Sequence, residues 1–221
     1  MKQEKTFSNI IKICILGIFL NFNYNFASAQ ILINLHDAVK AVKEYHTSEK
    51  YIQDMDKIVD NALLNLSTME IPKNAAFVFD IDETSLSNLK YELDHNFGYD
   101  QTSWNQWVNE ASAPAIKPVK RFYDSLIKKN IHIIFITGRA SNQYDVTVKN
   151  MQNVGYTKYD TIICKSPVFK GKTAVEYKSQ TRKELSKKYK IIGSIGDQWS
   201  DLNGGWTILQ IKLPNYMYYI E

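Results

Sequence analysis

The sequence predicts an α/β protein, a three-layer α/β/α sandwich around a mainly parallel sheet. Two observations carry this. After Pro72, short apolar runs alternate with segments of helical periodicity, and strand–helix–strand repetition of this kind builds a parallel sheet covered on both faces. The chain has 221 residues, 44% of them hydrophobic and 13% aromatic, enough for one domain with a substantial core and far from a disordered composition.

The chain opens with Lys2, Lys5 and Lys12, then the apolar run Ile13–Phe22, then Ala27-Ser28-Ala29. A basic start, a short apolar stretch and a small-x-small ending describe a secretory signal over residues 1–29, cut after Ala29. The run is shorter than the roughly 20 residues a spanning helix needs. An uncleaved anchor is the alternative reading, and with cleavage no membrane span is expected. Cys14 falls inside the signal and lacks a lipid-attachment context, so the mature chain keeps only Cys164 and no internal disulfide. Cys164 ends the apolar run TIIC and reads as a core residue. The formal net charge of +4 falls to about +2 on removal of the signal, and the lysines are dispersed, so a nucleic-acid polymer is not an expected partner.

Residues 30–70 read as a helical hairpin. Leu35, Ala38, Val39, Val42 and Tyr45, then Ile52, Met55, Val59, Ala62 and Leu66, recur at helical spacing, with Thr47 or Ser48 as cap of the second helix. His36 and His46 lie here and receive no functional role. Residues 71–221 form the main domain. Its expected strands are 75–81, 131–137, 159–164, 190–197 and 206–213, with helices near 119–129, 141–153 and 174–188. Between Asp82 and Pro118 lie about 35 residues without a strand-length apolar run, too long for an ordinary loop. This segment, about 84–117, holds Tyr91, Phe97, Tyr99, Trp104 and Trp107 and reads as a small cap. It contains a short helix in TSWNQWVNEA, capped by Thr102 or Ser103. Tyr91, Trp104 and Trp107 could stack on a substrate, but a segment this short needs large side chains for its own core, which is the favoured reading.

In a parallel sheet, ligands bind beyond the C-terminal strand ends. Those ends carry Asp80 and Asp82, then Thr137-Gly138-Arg139, then Lys165 and Ser166, then Gly196-Asp197 with Asp201 nearby. Carboxylates packed together need a cation. Oxygen ligands without a histidine or cysteine cluster favour a hard ion, most simply Mg2+. Thr137, at a turn into a helix, suits a phosphate oxygen. A lysine near the start of the 174–188 helix would complete the neutralisation. One carboxylate is then left to attack phosphorus and another to protonate the leaving group. The implied chemistry is phosphoryl transfer through an aspartyl-phosphate.

The stretches FDIDET, ITGR, YKSQTRKEL and GDQWSDL, in this order, resemble the four motifs of the haloacid dehalogenase superfamily, a Rossmann-like fold. VNEASAPAIKP, FKGKTAVEYKSQTR, GDQWSDLNG and KLPNYMYYI are similar to its acid phosphatase branch, which holds the class B acid phosphatases and the plant vegetative storage proteins. The resemblance covers roughly residues 70–221 and extends more weakly into the hairpin. It implies a secreted or periplasmic, Mg2+-dependent acid phosphatase acting on small-molecule phosphomonoesters. It further implies Asp80 as nucleophile and metal ligand, and Asp82 as general acid and base with its backbone carbonyl on the metal. Thr137 and the Gly138 backbone would hold phosphate, with Asp197 as metal ligand and Asp201 holding metal-bound water or capping the turn that follows it. Lys178 is the expected third-motif lysine because Ser-Gln follows it; Lys172 is the alternative. Arg139 reads as a surface ion-pair residue. A non-catalytic storage or phosphate-binding protein and a phosphotransferase to alcohols remain open, and a homo-oligomer is compatible with the sequence.

Overall fold

A computed structural model describes residues 33–221; the expected signal, its cut after Ala29 and Cys14 lie outside the described residues. Residues Leu35–Glu221 form one compact unit. Helices α1 (Leu35–His46) and α2 (Glu49–Thr68) make the expected hairpin. Ser48 stands at the N-cap position of α2 but makes no side-chain cap bond. Its hydroxyl instead donates to Tyr45 O at 2.7 Å, and that of Thr47 to Lys43 O at 2.7 Å. Both hydroxyls therefore add a second bond to carbonyls of the end of α1 that already accept from the Thr47 and Ser48 N–H groups, rather than capping α2. Helix α2 buries Met55, Val59, Ala62 and Leu66, a stripe of three- and four-residue steps that joins the main core.

Five parallel strands follow: β1 (Ala75–Phe79), β2 (His132–Ala140), β3 (Thr161–Lys165), β4 (Lys190–Gly196) and β5 (Leu209–Lys212), in the spatial order β3-β2-β1-β4-β5. All of β1 is buried, as expected of a central strand covered on both faces. On one face, Phe77, Phe79, Ile133 and Phe135 pack with α2 and with α5 (Lys117–Lys128). On the other, Ala76, Val78, Ile134 and Ile136 pack against Tyr177 of α7 (Ala174–Leu185). Gly193 is required in β4 because a Cβ there would stand 2.2 Å from the Phe77 ring. The expected strand over 206–213 is reduced to Leu209–Lys212, since Gly204, Gly205 and Trp206 all have positive φ and keep the preceding chain out of the sheet.

The segment after β1 holds two short helices, α3 (Leu89–Asp94) and α4 (Gln101–Glu110). The cap of α4 is Asp100, whose carboxylate accepts from Ser103 N at 2.8 Å, and not Thr102 or Ser103. Tyr91 and Trp107 are buried, and the Tyr91 ring meets His95 face to face at 4.2 Å and Trp104 edge-on at 5.1 Å. Helix α6 (Tyr144–Asn153) completes the layer beside β3. Cys164 is buried and free, its thiol pushed up to about 11 by burial. No helix among the described residues is long and apolar enough to cross a membrane.

The hairpin brings one buried histidine against the chain's last segment. His46 is 4% exposed, packs against Tyr45, Tyr51 and Tyr216, and accepts from Tyr216 N through Nε2 at 3.3 Å. Burial pushes it down to about 4. The unfolded histidine protonates near its ordinary 6.5, so its contribution is complete above that pH and is lost as pH falls toward 4. His46→Gln keeps an acceptor without the titration. Over this window the variant should lose less stability than wild type, the difference approaching on the order of 3 kcal/mol, in denaturant melts at stepped pH.

Candidate active site

The strand order reverses between β1 and β4, and in a parallel sheet this switch point opens the crevice where ligands bind. Asp80 follows β1 and Asp197 follows β4, so the crevice is flanked by two carboxylates. The chain leaves β1 in a tight turn: Ser85 and Leu86 N–H both donate to Ile81 O, Glu83 takes φ +52°, and Ser85 Oγ donates to Asp80 O at 2.7 Å. After β4 the chain closes a short 3-10 turn, Trp199–Asp201, in which Asp201 Oδ2 accepts from Gln198 N at 2.9 Å. Gly196 makes this turn feasible, because a Cβ there would lie 2.2 Å from Asp201 Oδ2.

Two separate groupings result. In the first, oxygens of Asp80, Asp197 and Asp201 all lie within 4.8 Å of one another, and all three residues are buried. Lys178 Nζ donates to Asp80 Oδ1 at 2.6 Å and to Asp201 Oδ1. Asp197 accepts from Thr84 Oγ1 at 3.1 Å, Gln198 Nε2 at 2.7 Å and Asn215 Nδ2 at 2.7 Å. Burial, then the neighbouring Asp201, drives the Asp80 carboxyl well above the usual range despite Lys178. The same two causes raise Asp197 to about 6. Burial alone would lower Lys178, but Asp201 and Asp80 hold it above its ordinary value. With all three ionised, Lys178 is the one ammonium paired directly with them among the described residues, and negative charge is left over. A cluster of hard oxygen donors with this deficit suits a divalent cation.

The second grouping surrounds Asp82, whose side chain stands outside the three-carboxylate cluster. Arg139 Nη2 donates to its Oδ1 at 2.7 Å, Arg139 Nε reaches both oxygens at 3.1 Å, and Asn88 Nδ2 donates to Oδ1 at 2.9 Å. Thr137 Oγ1 lies 3.4 Å from Oδ2 and accepts from Arg139 N at 3.1 Å. Burial works to raise the Asp82 carboxyl, and the Arg139 and Asn88 contacts outweigh it, so the group falls below the usual range. Thr137 is fully buried, while Gly138 is exposed with open space over it.

Lys178, not Lys172, enters the site. Lys172 lies in the turn before α7, exposed, and pairs with Glu176 at 3.6 Å. Lys165 donates to Lys172 O and so ties that turn down. Asp201 is a member of the acidic cluster, and its Oδ2 closes the turn before it by accepting from Gln198 N rather than capping the turn that follows. The expectation for Arg139 is overturned: it is 4% exposed and holds Asp82, because β2 runs on to Ala140 and turns the side chain inward. Sequence reasoning also passed over Asn88 and Arg182. Arg182 is fully buried one helical turn after Lys178, its guanidinium donating to the carbonyls of Asp201, Asn203 and Gly205. The i, i+4 spacing of Lys178 and Arg182 on one helix was the available signal. Asn88 had a weaker one, a short polar side chain six residues after Asp82 at the N-cap position of α3.

A profile described as HAD superfamily, subfamily IIIB (Acid phosphatase) matches residues 24–221. The chain is 36% identical over 192 residues to the stem 28 kDa glycoprotein of Glycine max, covering 84% of this chain and 76% of that protein. It is 35% identical over 186 residues to acid phosphatase 1 of Solanum lycopersicum, covering 81% and 73% respectively. Among solved structures, the class C acid phosphatase from Bacillus anthracis superposes with a TM-score of 0.71 at 25% identity, over 83% of this chain and 85% of that one.

Arg182→Met removes the buried donor that three loop carbonyls share. Leaving such groups unsatisfied costs about 1–3 kcal/mol each, so chemical denaturation should show a loss of at least about 3 kcal/mol. Unchanged stability would remove Arg182 from the set that holds the Asp201 turn.

Proposed function

The chain belongs to the acid phosphatases of HAD superfamily subfamily IIIB and is a phosphatase; on that premise we propose that it hydrolyses phosphomonoesters through an aspartyl-phosphate on Asp80, with Mg2+ as its ion, outside the cytoplasm. The observation that carries this reading is the buried Asp80–Lys178–Asp201 contact beside Asp197. One cation holds the attacking carboxylate in place, and the charge deficit that remains matches one divalent ion.

Asp80, Asp197 and Asp201, with the Asp82 backbone carbonyl that the family resemblance adds, would hold the metal. When bound, it supplies the positive charge that lets an anionic carboxylate and an anionic ester approach each other. Lys178 supports the same approach and, with Thr137 Oγ1 and the Gly138 N–H, holds the phosphoryl oxygens. An Asp80 oxygen attacks phosphorus as the bond to the leaving oxygen breaks. Asp82 delivers a proton to that oxygen. Water then attacks the aspartyl-phosphate, Asp82 takes its proton, and phosphate leaves.

Asp82 is held by Arg139 as a carboxylate, so it must receive the proton that it donates. A phosphomonoester retains one proton below its second ionisation, near 6, and can bring it into the site. This favours acidic turnover, as the family resemblance implies. Export is supported by the signal-like residues 1–29. A storage protein that has lost catalysis is disfavoured because Asp80, Asp82, Thr137 and Lys178 are all in place.

Asp80→Asn should abolish release of 4-nitrophenol from its phosphate while leaving the circular dichroism unchanged, and EDTA should silence wild type until Mg2+ is restored. Near wild-type turnover in either case would remove the nucleophile or the ion. Lys178→Ala should lower kcat by roughly 100-fold or more, the scale expected for a lost charge-stabilising donor, with Lys172→Ala close to neutral. The reverse ranking would overturn the lysine assignment.

A further inference from the structure

The Asp82 carboxylate is approached from two sides, and only one of them belongs to the expected machinery. On the other side stands Asn88, fully buried at the start of α3. Its backbone N–H donates to Glu83 Oε1 at 2.6 Å. Its side-chain Nδ2 donates to Asp82 Oδ1 at 2.9 Å and to Glu83 Oε2 at 2.8 Å, and its Oδ1 accepts from Trp107 Nε1 at 2.8 Å. Trp107 belongs to α4 of the cap segment and is 8% exposed.

We propose that Asn88 is a positioning residue for Asp82, and that the cap reaches the proton-transferring carboxylate through the Trp107–Asn88 hydrogen bond. An asparagine amide can sit in either of two orientations, and its partners decide which. An indole N–H can only donate, so Asn88 must turn its oxygen toward Trp107. Its NH2 is then forced toward Asp82 and Glu83. The opposite orientation would set a carbonyl against two carboxyl groups and an NH2 against an N–H. One ring in the cap therefore fixes the donor that Asp82 sees.

The two oxygens of Asp82 become unequal as a result. Oδ1 receives Asn88 Nδ2 and Arg139 Nη2, with Arg139 Nε at 3.1 Å. Oδ2 keeps only Arg139 Nε at 3.1 Å and the Thr137 hydroxyl at 3.4 Å. Oδ1 is saturated, and Oδ2 faces the residue assigned to the phosphate. Oδ2 is accordingly the oxygen that carries the proton to the leaving group and later takes one from water. Without Asn88 the carboxylate is free to turn about its Cβ–Cγ bond, and the reactive oxygen is no longer specified.

The inference rests on Asp82 as the general acid, and the test separates the two. A 4-nitrophenolate leaves with little help, whereas an alkoxide must be protonated as it leaves. We would measure kcat/KM for 4-nitrophenyl phosphate and for ethyl phosphate with wild type, Asp82→Asn, Asn88→Ala and Trp107→Phe. General acid catalysis contributes about 100-fold or more, so Asp82→Asn should lose at least roughly 100-fold more on ethyl phosphate than on the aryl ester. Asn88→Ala and Trp107→Phe should show the same bias at about tenfold. Trp107→Phe keeps the ring and carries the test if Asn88→Ala fails to fold. Equal losses on both substrates with Asp82→Asn would remove the general acid itself. Bias in Asp82→Asn with none in either of the other variants would overturn the positioning role.

Discussion

The structure depends on one charge-balance constraint. Three carboxylates are buried together where β1 and β4 end, and a single ammonium, Lys178, lies among them. Burying charge is costly unless it is paired, and removing one partner of a buried pair commonly costs about 3–5 kcal/mol. The surroundings are arranged to hold that lysine and those acids in register. Helix α7 starts from a capping box between Thr173 and Glu176 and carries Lys178 inward one turn later. Another turn on, Arg182 grips the carbonyls of the loop that presents Asp201. Gly196 leaves room for the Asp201 carboxylate. The remaining deficit of charge, rather than any one residue, is what calls for a divalent ion.

Asp82 obeys a different balance. It sits two residues from Asp80 yet is matched by its own cation, Arg139, and by Asn88. Asp82 lies inside the tight turn that the Ser85 and Leu86 N–H groups close on Ile81 O, and its carboxylate meets Arg139 while that of Asp80 meets Lys178. Two aspartates in one short motif thereby meet opposite environments: Asp80 is driven up by burial and Asp201, and Asp82 is held down by Arg139 and Asn88. A divalent ion among Asp80, Asp197 and Asp201 would favour the ionised form that Asp80 needs to attack, while Asp82, held as a carboxylate, acts as acid only after it has taken up a proton. The cap contributes at this point, since Trp107 bonds to Asn88 and Trp104 lies 5.9 Å from the Arg139 guanidinium.

What the sequence disclosed follows from periodicity and from strand ends. The stripe Met55–Val59–Ala62–Leu66 and the run through Phe77 and Phe79 repeat on a fixed spacing, so the helix and the central strand were legible. The strand-end rule gathered Asp80, Thr137 and Asp197 on one rim. Contacts that depend on where a side chain turns after the regular element stops were not legible. Arg139 looked solvent-facing because β2 was expected to end at Thr137; the strand continues, and its next inward position is Arg139. The cap of α4 is Asp100, a residue of the same cap-forming kind as Thr102 and Ser103, and β5 starts at Leu209 because Gly204, Gly205 and Trp206 take positive φ. Lys178 was separable from Lys172 by its neighbours in sequence, and burial then distinguishes them physically.

The most direct measurement is chemical trapping of the covalent intermediate. Enzyme turning over a phosphomonoester with Mg2+ would be quenched and reduced with borohydride, which converts an aspartyl-phosphate to homoserine, and then mapped by mass spectrometry. With Asp80 as the nucleophile, homoserine is predicted at residue 80 and nowhere else. An unmodified chain during steady turnover, or a label on another residue, would contradict it.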